Sequence, residues 1–350
     1  MDRKDHLWKV AQEAEDRIDD LVTTNPYGVD VGTSKIVAAR RKGKDIETAA
    51  QLNAFIPVPF SRFTENTLGQ NDISYYREGS ELIVYGTATE KFANMFNAEL
   101  RRPMADGMVN PKEKMAMPVL EAILQSLVPK ARVQNEVMAF SVPAPPLNGE
   151  AQLTYHEGTL RRYFESIGYK PIAINEGLAV VFSELEDHNF TGIGISCGGG
   201  MCNVTLAYLS IPSIMFSITK GGDYIDRSAA TVVNEAATRV RVLKEEGLDL
   251  SRSPKDKYEK ALQIYYEDLV ESLIEALRRS ISSAEKLPKA DRPIPIVLAG
   301  GTAKPRGFKQ LFEKTLRARG VPIDVSEVRM AADPLSATAK GALIAALYEK

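Results

Sequence analysis

Apolar side chains in the first 25 residues fall on one helical stripe. Leu7, Val10, Ala11, Ala14, Ile18, Leu21 and Val22 recur at the three- and four-residue spacing of a helix face. The opposite face is acidic, with Glu13, Glu15, Asp16, Asp19 and Asp20. A membrane-lying helix normally presents a basic polar face, so this one is expected to pack on protein, in cis or on a neighbour. Asn25-Pro26 should end it, because proline pushes its preceding residue out of the helical region. From Tyr27 onward, short apolar runs alternate with longer helical periodicities. The runs predict strands over 27–31, 35–40, 82–85, 137–142, 171–175, 193–197, 203–209, 214–219 and 296–299. The helical spacings predict helices over 111–127, 159–167, 177–186, 224–246, 257–285, 305–319 and 334–348. This alternation implies an α/β architecture. Residues 53–100 are less regular, rich in Phe, Asn and Tyr, and read as an inserted lobe.

Composition narrows the class. A chain of 350 residues suggests about two domains. Apolar residues make up 44% and charged residues 26%, as in an ordinary soluble globular protein. A net charge of −2 argues against a general nucleic-acid or anionic-membrane binder. No run of about 18 apolar residues occurs, so no membrane span is expected. The N-terminus lacks the basic start and apolar stretch of a secretory signal. A cytoplasmic enzyme or cytoskeletal protein is therefore the default expectation. The two cysteines, Cys197 and Cys202, read as small buried residues, since no second ligand pair with metal spacing exists. His6, His156 and His188 are scattered, Trp8 is expected to pack at a helix surface, and the 255–260 charge cluster reads as a solvated helix start.

One internal echo carries more weight than any single motif. Gly28-Val29-Asp30-Val31-Gly32-Thr33-Ser34-Lys35-Ile36-Val37-Ala38 reads as strand, tight polar turn, strand; Gly194-Ile195-Ser196-Cys197-Gly198-Gly199-Gly200-Met201-Cys202-Asn203-Val204 repeats that plan about 165 residues later. Two such units imply two similar halves with a site between their turns. Glycine-rich turns expose backbone N–H groups in a concave nest that suits phosphate. Thr33 and Ser34 add hydroxyls, and Lys35 adds charge. Asp30, at a strand end beside the first turn, becomes useful next to phosphates when Mg2+ lies between them, held through water. A third glycine turn, Gly221-Gly222-Asp223-Tyr224-Ile225-Asp226, opens a helix. A fourth, Gly300-Gly301-Thr302-Ala303, follows the strand at 296–299 and permits close backbone approach to a flat nucleoside. Neither GxxxxGK[ST] nor GxGxxG occurs, which disfavours a P-loop protein and a dinucleotide-binding dehydrogenase.

In this order, the motifs resemble the actin/Hsp70 superfamily. Asp30–Lys35 is similar to the first phosphate motif, and Ile174-Asn175-Glu176-Gly177-Leu178-Ala179 to the first connecting helix. Ser196-Cys197-Gly198-Gly199-Gly200 stands at the second phosphate motif, with the Gly221–Asp226 turn and the adenosine motif Val297-Leu298-Ala299-Gly300-Gly301-Thr302 after it. Asp333-Pro334 and Ala339-Lys340-Gly341-Ala342 resemble the second connecting helix. Arg101-Arg102-Pro103-Met104-Ala105-Asp106-Gly107 resembles a stretch of the bacterial actins of the MreB kind. The resemblance implies an actin-like ATPase fold: two lobes of four subdomains around a nucleotide cleft, built on duplicated ribonuclease-H-like cores. The division it implies is a helical extension over 1–25, a first-lobe core over 26–52, 101–170 and 334–350, and its peripheral subdomain over 53–100. The second-lobe core then spans 171–235 and 290–333, with its peripheral subdomain over 236–289.

The resemblance also implies ATP or ADP with Mg2+ in the cleft and assembly with itself into nucleotide-dependent filaments, as in the MreB and MamK group. Its binding set here is Gly32, Thr33, Ser34, Lys35, Ser196, Gly198, Gly199, Gly200, Gly221, Gly222, Asp223, Gly300, Gly301, Thr302 and Ala303, with Lys244 as an adenosine contact. Glu176 falls where the family orients the attacking water, and Asp30 where it holds Mg2+ through water. The turn amides and Lys35 would stabilise phosphoryl oxygens. Departures stand out at three positions: Ser196 replaces the usual Asp, Met201 a small polar residue, and Gly177 the usual Pro. Serine lacks the charge that helps hold Mg2+, so ATP hydrolysis is expected to be slow or absent. Competing readings are a non-polymerising Hsp70-like switch or reactivating chaperone resembling EutJ, and a scaffold that binds ATP without cleaving it. The N-terminal helix is a candidate contact for adaptor proteins or a neighbouring strand, the alternative being a helix docked on its own domain.

Overall fold

The computed structural model describes residues 25–96, 100–147, 153–284, 287–288 and 292–349. Apart from Asn25, the expected N-terminal helix lies outside these residues. Strands β1 (Tyr27–Val31) and β2 (Lys35–Lys42) form the first hairpin, and β3 (Asp45–Leu52) returns beside β2. A small three-stranded sheet follows, from β4 (Phe55–Pro59), α1 (Arg62–Gln70), β5 (Tyr75–Glu78), β6 (Glu81–Tyr85) and α2 (Thr89–Phe96). Next come the short strands β7 (Met104–Ala105) and β8 (Met108–Val109), then α3 (Ala116–Leu127), β9 (Glu136–Val142), α4 (Leu153–Ser166) and β10 (Tyr169–Asn175). Helix α5 (Glu176–Glu184) leads into the second half: β11 (Gly192–Cys197), β12 (Cys202–Tyr208), β13 (Ile211–Ile218), α6 (Gly222–Val233), α7 (Ala237–Gly247) and α8 (Lys257–Ser283). The chain closes with β14 (Ile294–Ala299), α9 (Phe308–Arg319), β15 (Val325–Met330) and α10 (Ala337–Tyr348). Among the described residues, no helix is long and apolar enough to cross a membrane.

The sequence echo is the visible part of a complete topological duplication. One sheet runs β3-β2-β1-β9-β10 and the other β13-β12-β11-β14-β15. In each, the first three strands are antiparallel and the last two join in parallel. The central strands are apolar because both faces are covered; β11 and β14 are buried along their whole length. Helices α5 and α10 pack on each other between the sheets. Small side chains permit that approach: Ala139, Ala179, Ala342 and Ala346 share one buried cluster. At the crossing, a Cβ on Gly341 would run into the Ala179 carbonyl, and one on Gly28 into the α10 backbone.

The differences from expectation have local causes. The single helix expected over 224–246 is two, because Asn234 adopts a left-handed conformation (φ 52°) that caps α6; asparagine tolerates this better than most residues. The helix expected from 111 begins at Ala116, after turns over 111–115. Residues 53–96, expected to be irregular, form a regular sheet with two helices. Proline at positions 57 and 59 of β4 hides that strand's pattern, since proline signals against a strand. Strands β3 and β15 are sheet edges with mostly exposed or half-exposed positions, so they carry no apolar run.

Candidate functional site

The site grows from the two hairpin turns. In the first, Gly32 N–H donates to the Lys35 carbonyl at 3.1 Å. Asn53 clamps this turn from β3's end, its Nδ2 donating to Gly32 O at 2.9 Å and its N–H to Ser34 O at 2.9 Å. In the second, Gly198 N–H donates to Met201 O at 2.9 Å. Two carbonyls of this turn are claimed: Gly198 O accepts from Gly222 N–H (3.0 Å) and Thr302 Oγ1 (2.7 Å), and Gly199 O from Asp223 N–H (2.8 Å). The start of α6 and the Gly300–Thr302 turn therefore fix the second hairpin. Among the described residues, nothing accepts from the N–H groups of Thr33, Ser34, Gly199 or Gly200. The turns touch: a Cβ on Gly199 would strike Ser34 Oγ, and one on Gly200 would lie 2.7 Å from Thr33 Oγ1. Glycine is required there by close approach rather than by φ.

Between the halves lies a cavity of about 430 Å3. Every residue of the expected set lines it except Gly221 and Ala303. Gly221 packs against the Gly198 and Gly199 carbonyls, and Ala303 is buried behind the wall. Lys35 lies at the exposed start of β2, and Gly300 (φ 91°) presses on the Cys197 carbonyl. Both cysteines are buried and free. The cavity wall also holds residues outside the expected binding set, among them Asn203, Asp226, Tyr266 and Thr338.

At the turn end, two buried carboxyls, Asp30 and Glu176, line the cavity. Asp30 Oδ1 accepts from Ser141 Oγ at 2.8 Å, and that hydroxyl accepts from Val31 N–H at 3.0 Å. Glu176 is the first residue of α5, placed by Asn175. The Asn175 Oδ1 accepts from Gly177 N–H (2.9 Å), Leu178 N–H (3.3 Å) and Thr205 Oγ1 (2.6 Å), an N-cap that fixes the helix start. Ser196 Oγ donates to Glu176 Oε2 at 3.0 Å. Burial raises both carboxyls, and the neighbouring Asp30 charge raises Glu176 further against the Ser196 hydrogen bond.

The other end holds a buried ion pair. Lys244 Nζ lies 2.8 Å from Asp226 Oδ2 and donates to Gly222 O at 3.2 Å. Lysine 244 is thus buried and paired, not on a solvated charged face. Burial pushes Asp226 up to about 6, although Lys244 opposes the rise. Among the described residues, no group of three or more His, Cys, Asp or Glu side chains is placed to hold a metal by protein ligands alone.

Two sheets of one topology, paired glycine hairpins facing a common cavity, and two helices crossing beneath them define an actin-like fold. The chain belongs to the Volactin family, whose model matches residues 26–346. Among solved structures it is similar to MamK in a double helical filament, with 19% identity and a TM-score of 0.70 over 93% of this chain and 99% of that one. It is similar to MreB5 of Spiroplasma citri bound to ADP, with 14% identity and a TM-score of 0.63 over 91% and 95%. It is also similar to the ethanolamine utilization protein EutJ of Carboxydothermus hydrogenoformans, with 15% identity and a TM-score of 0.54 over 92% and 91%. No curated protein sequence matches significantly.

Proposed function

We propose that the chain is an ATP-binding, actin-like cytoskeletal protein that assembles with itself into nucleotide-dependent filaments and turns ATP over slowly. The observation that carries this reading is the contact of the two hairpins. Four N–H groups with no acceptor among the described residues, from opposite halves of the chain, border one cavity beside the glycine turn at 300–302. Such paired nests suit a polyphosphate tail, with the nucleoside toward Gly300, Gly301 and Lys244. The similarity to a MamK filament and to an ADP-bound MreB5 supports filament assembly and nucleotide binding in this chain.

The carboxyl pair suits Mg2+. Asp30 and Glu176 are hard oxygen donors that burial alone drives toward their protonated forms, and a divalent ion favours the ionised forms. Asp30 would hold the ion through water, and the ion would supply charge neutralisation for the phosphates. Slow turnover follows from Ser196. Its hydroxyl donates to Glu176 Oε2 and so occupies a carboxylate oxygen that would otherwise accept from an attacking water. The candidate adaptor contact of the N-terminal helix lies outside the described residues.

The test is sedimentation with negative-stain electron microscopy, in Mg-ATP, in Mg-ADP and without nucleotide. Filaments that form in Mg-ATP and diminish without nucleotide are expected. Nucleotide binding with no polymer in any condition would overturn the filament reading in favour of a non-polymerising switch.

A further inference from the structure

The Arg101–Gly107 motif forms a strap across the mouth of the cleft. Strands β7 and β8 form a two-stranded ribbon, and its turn is wedged between the two hairpins. Gly107 N–H donates to Thr33 Oγ1 at 3.1 Å. A Cβ on Gly200 would meet the Gly107 nitrogen, and one on Gly107 would lie 2.8 Å from Met201. Two ion pairs of opposite polarity tie the strap to α6, Arg102 to Asp223 and Asp106 to Arg227 at 3.4 Å.

Arg102 differs from an ordinary strut in what it touches. Its Nη1 lies 2.9 and 3.0 Å from the two Asp223 oxygens and donates to Ser34 Oγ at 3.3 Å. Both partners line the cavity. Ser34 belongs to the first hairpin, and Asp223 directly follows the glycine pair that grips the second. The guanidinium is largely sheltered, 17% exposed, so an anion beside Ser34 would meet it at low dielectric. Guanidinium carries five donors, and Asp223 engages only one nitrogen here.

We propose that Arg102 discriminates nucleoside triphosphate from diphosphate, by engaging a terminal phosphate at the Ser34 turn in competition with Asp223. This rests on the nucleotide reading above. A phosphate dianion draws the guanidinium from the Asp223 carboxylate and loosens the tie between strap and α6. When only a diphosphate is bound, Arg102 returns to Asp223 and the tie re-forms.

Affinities of the full chain for ADP and for a non-hydrolysable ATP analogue, in excess Mg2+, test this by titration calorimetry of wild type, Arg102→Ala and Arg102→Lys. Arg102→Ala should weaken the triphosphate tenfold or more, the scale of one lost charge-assisted hydrogen bond, with ADP changed less than about threefold. Arg102→Lys, which keeps the charge without the fork, should fall between. Equal weakening for both nucleotides would overturn the assignment and leave Arg102 a structural tie. If Arg102→Ala does not fold, the same comparison is read from Arg102→Lys, where an unchanged triphosphate-to-diphosphate ratio overturns it. Wild type that binds neither nucleotide overturns the nucleotide reading itself, a result distinct from either of these.

Discussion

Replacing Lys244 with methionine keeps most of the apolar stem and removes the ammonium from a buried pair. Its Nζ lies 2.8 Å from Asp226 Oδ2, with side chains 9% and 5% exposed, and Asp226 Oδ1 has no partner among the described residues. Even beside lysine, burial lifts this carboxyl from 3.8 to about 6, a bias on the order of 3 kcal/mol against its ionised form. Without the cation, Lys244→Met should lose about 3–5 kcal/mol at neutral pH, the usual cost of leaving one buried partner behind. The pH dependence has a definite sign. Because the folded value exceeds the unfolded one, the folded state keeps a proton the unfolded chain has lost. The stability this contributes is fully present below 3.8 and is lost as pH rises through about 6. In the variant the carboxyl rises further, so the loss extends to higher pH. Urea unfolding followed by circular dichroism at mildly acidic and neutral pH reads this out. The deficit should shrink on acidification, and Asp226→Asn in the same chain should restore most of the neutral-pH loss. A neutral-pH deficit below about 1 kcal/mol, or one of equal size at both pH values, would refute the reasoning.

Ser196→Asp should raise steady-state phosphate release about tenfold or more, because it frees Glu176 and adds a carboxylate for Mg2+; brisk wild-type release would contradict this. The same variant should melt lower than wild type in chelator and regain stability in Mg2+, since it sets a third carboxyl beside Asp30 and Glu176. At the helix crossing, Gly341→Ala should cost about 3 kcal/mol or more, because the new methyl would overlap the Ala179 carbonyl; a melting temperature near wild type would show that α5 and α10 can separate freely.

The central strands and the site turns were legible because chemistry and pattern coincide there. A buried parallel strand such as β11 must be apolar, and a turn under close approach must be glycine, so 192–200 announces itself. Edge strands β3 and β15 escaped, since exposed positions are free of the apolar constraint. The break after α6 rests on a single left-handed asparagine, Asn234, a conformation no periodicity encodes. Within the site, Asp226 was visible as the end of the Gly221 motif, whereas Ser141, Asn53 and Tyr266 act from separate elements. Tyr266 lines the cavity, while Ser141 and Asn53 brace Asp30 and Gly32, and all three arrive by tertiary packing, so no spacing along the chain could reveal them. Lys244 was readable as a site residue but not as a buried one; its pairing depends on the α6–α7 packing that the Asn234 break permits.

The duplication explains why one altered residue weighs so heavily. Asp30 and Ser196 occupy equivalent places, each two residues before the first glycine of its turn and each on the first strand of its sheet. On the first side, a hydroxyl from the parallel neighbour β9 supports a carboxyl. On the second, Ser196 sits opposite Ala299 of β14 and Asn203 of β12, and Asn203 Oδ1 is already used by Ala144 N–H at 2.8 Å. The second half thus keeps the backbone nest but supplies no charge at the position equivalent to Asp30. Its one polar side chain at this position is turned toward Glu176, the carboxyl delivered by the helix that joins the halves. On the nucleotide reading proposed above, phosphate binding would depend on the nests, which both halves retain. Activation of water would depend on carboxyl charge beside the turns, which there comes from Asp30 and from Glu176 of the connecting helix. On that reading, binding and turnover would be separable in this chain, with the hydrogen bond from Ser196 to Glu176 at the point of separation.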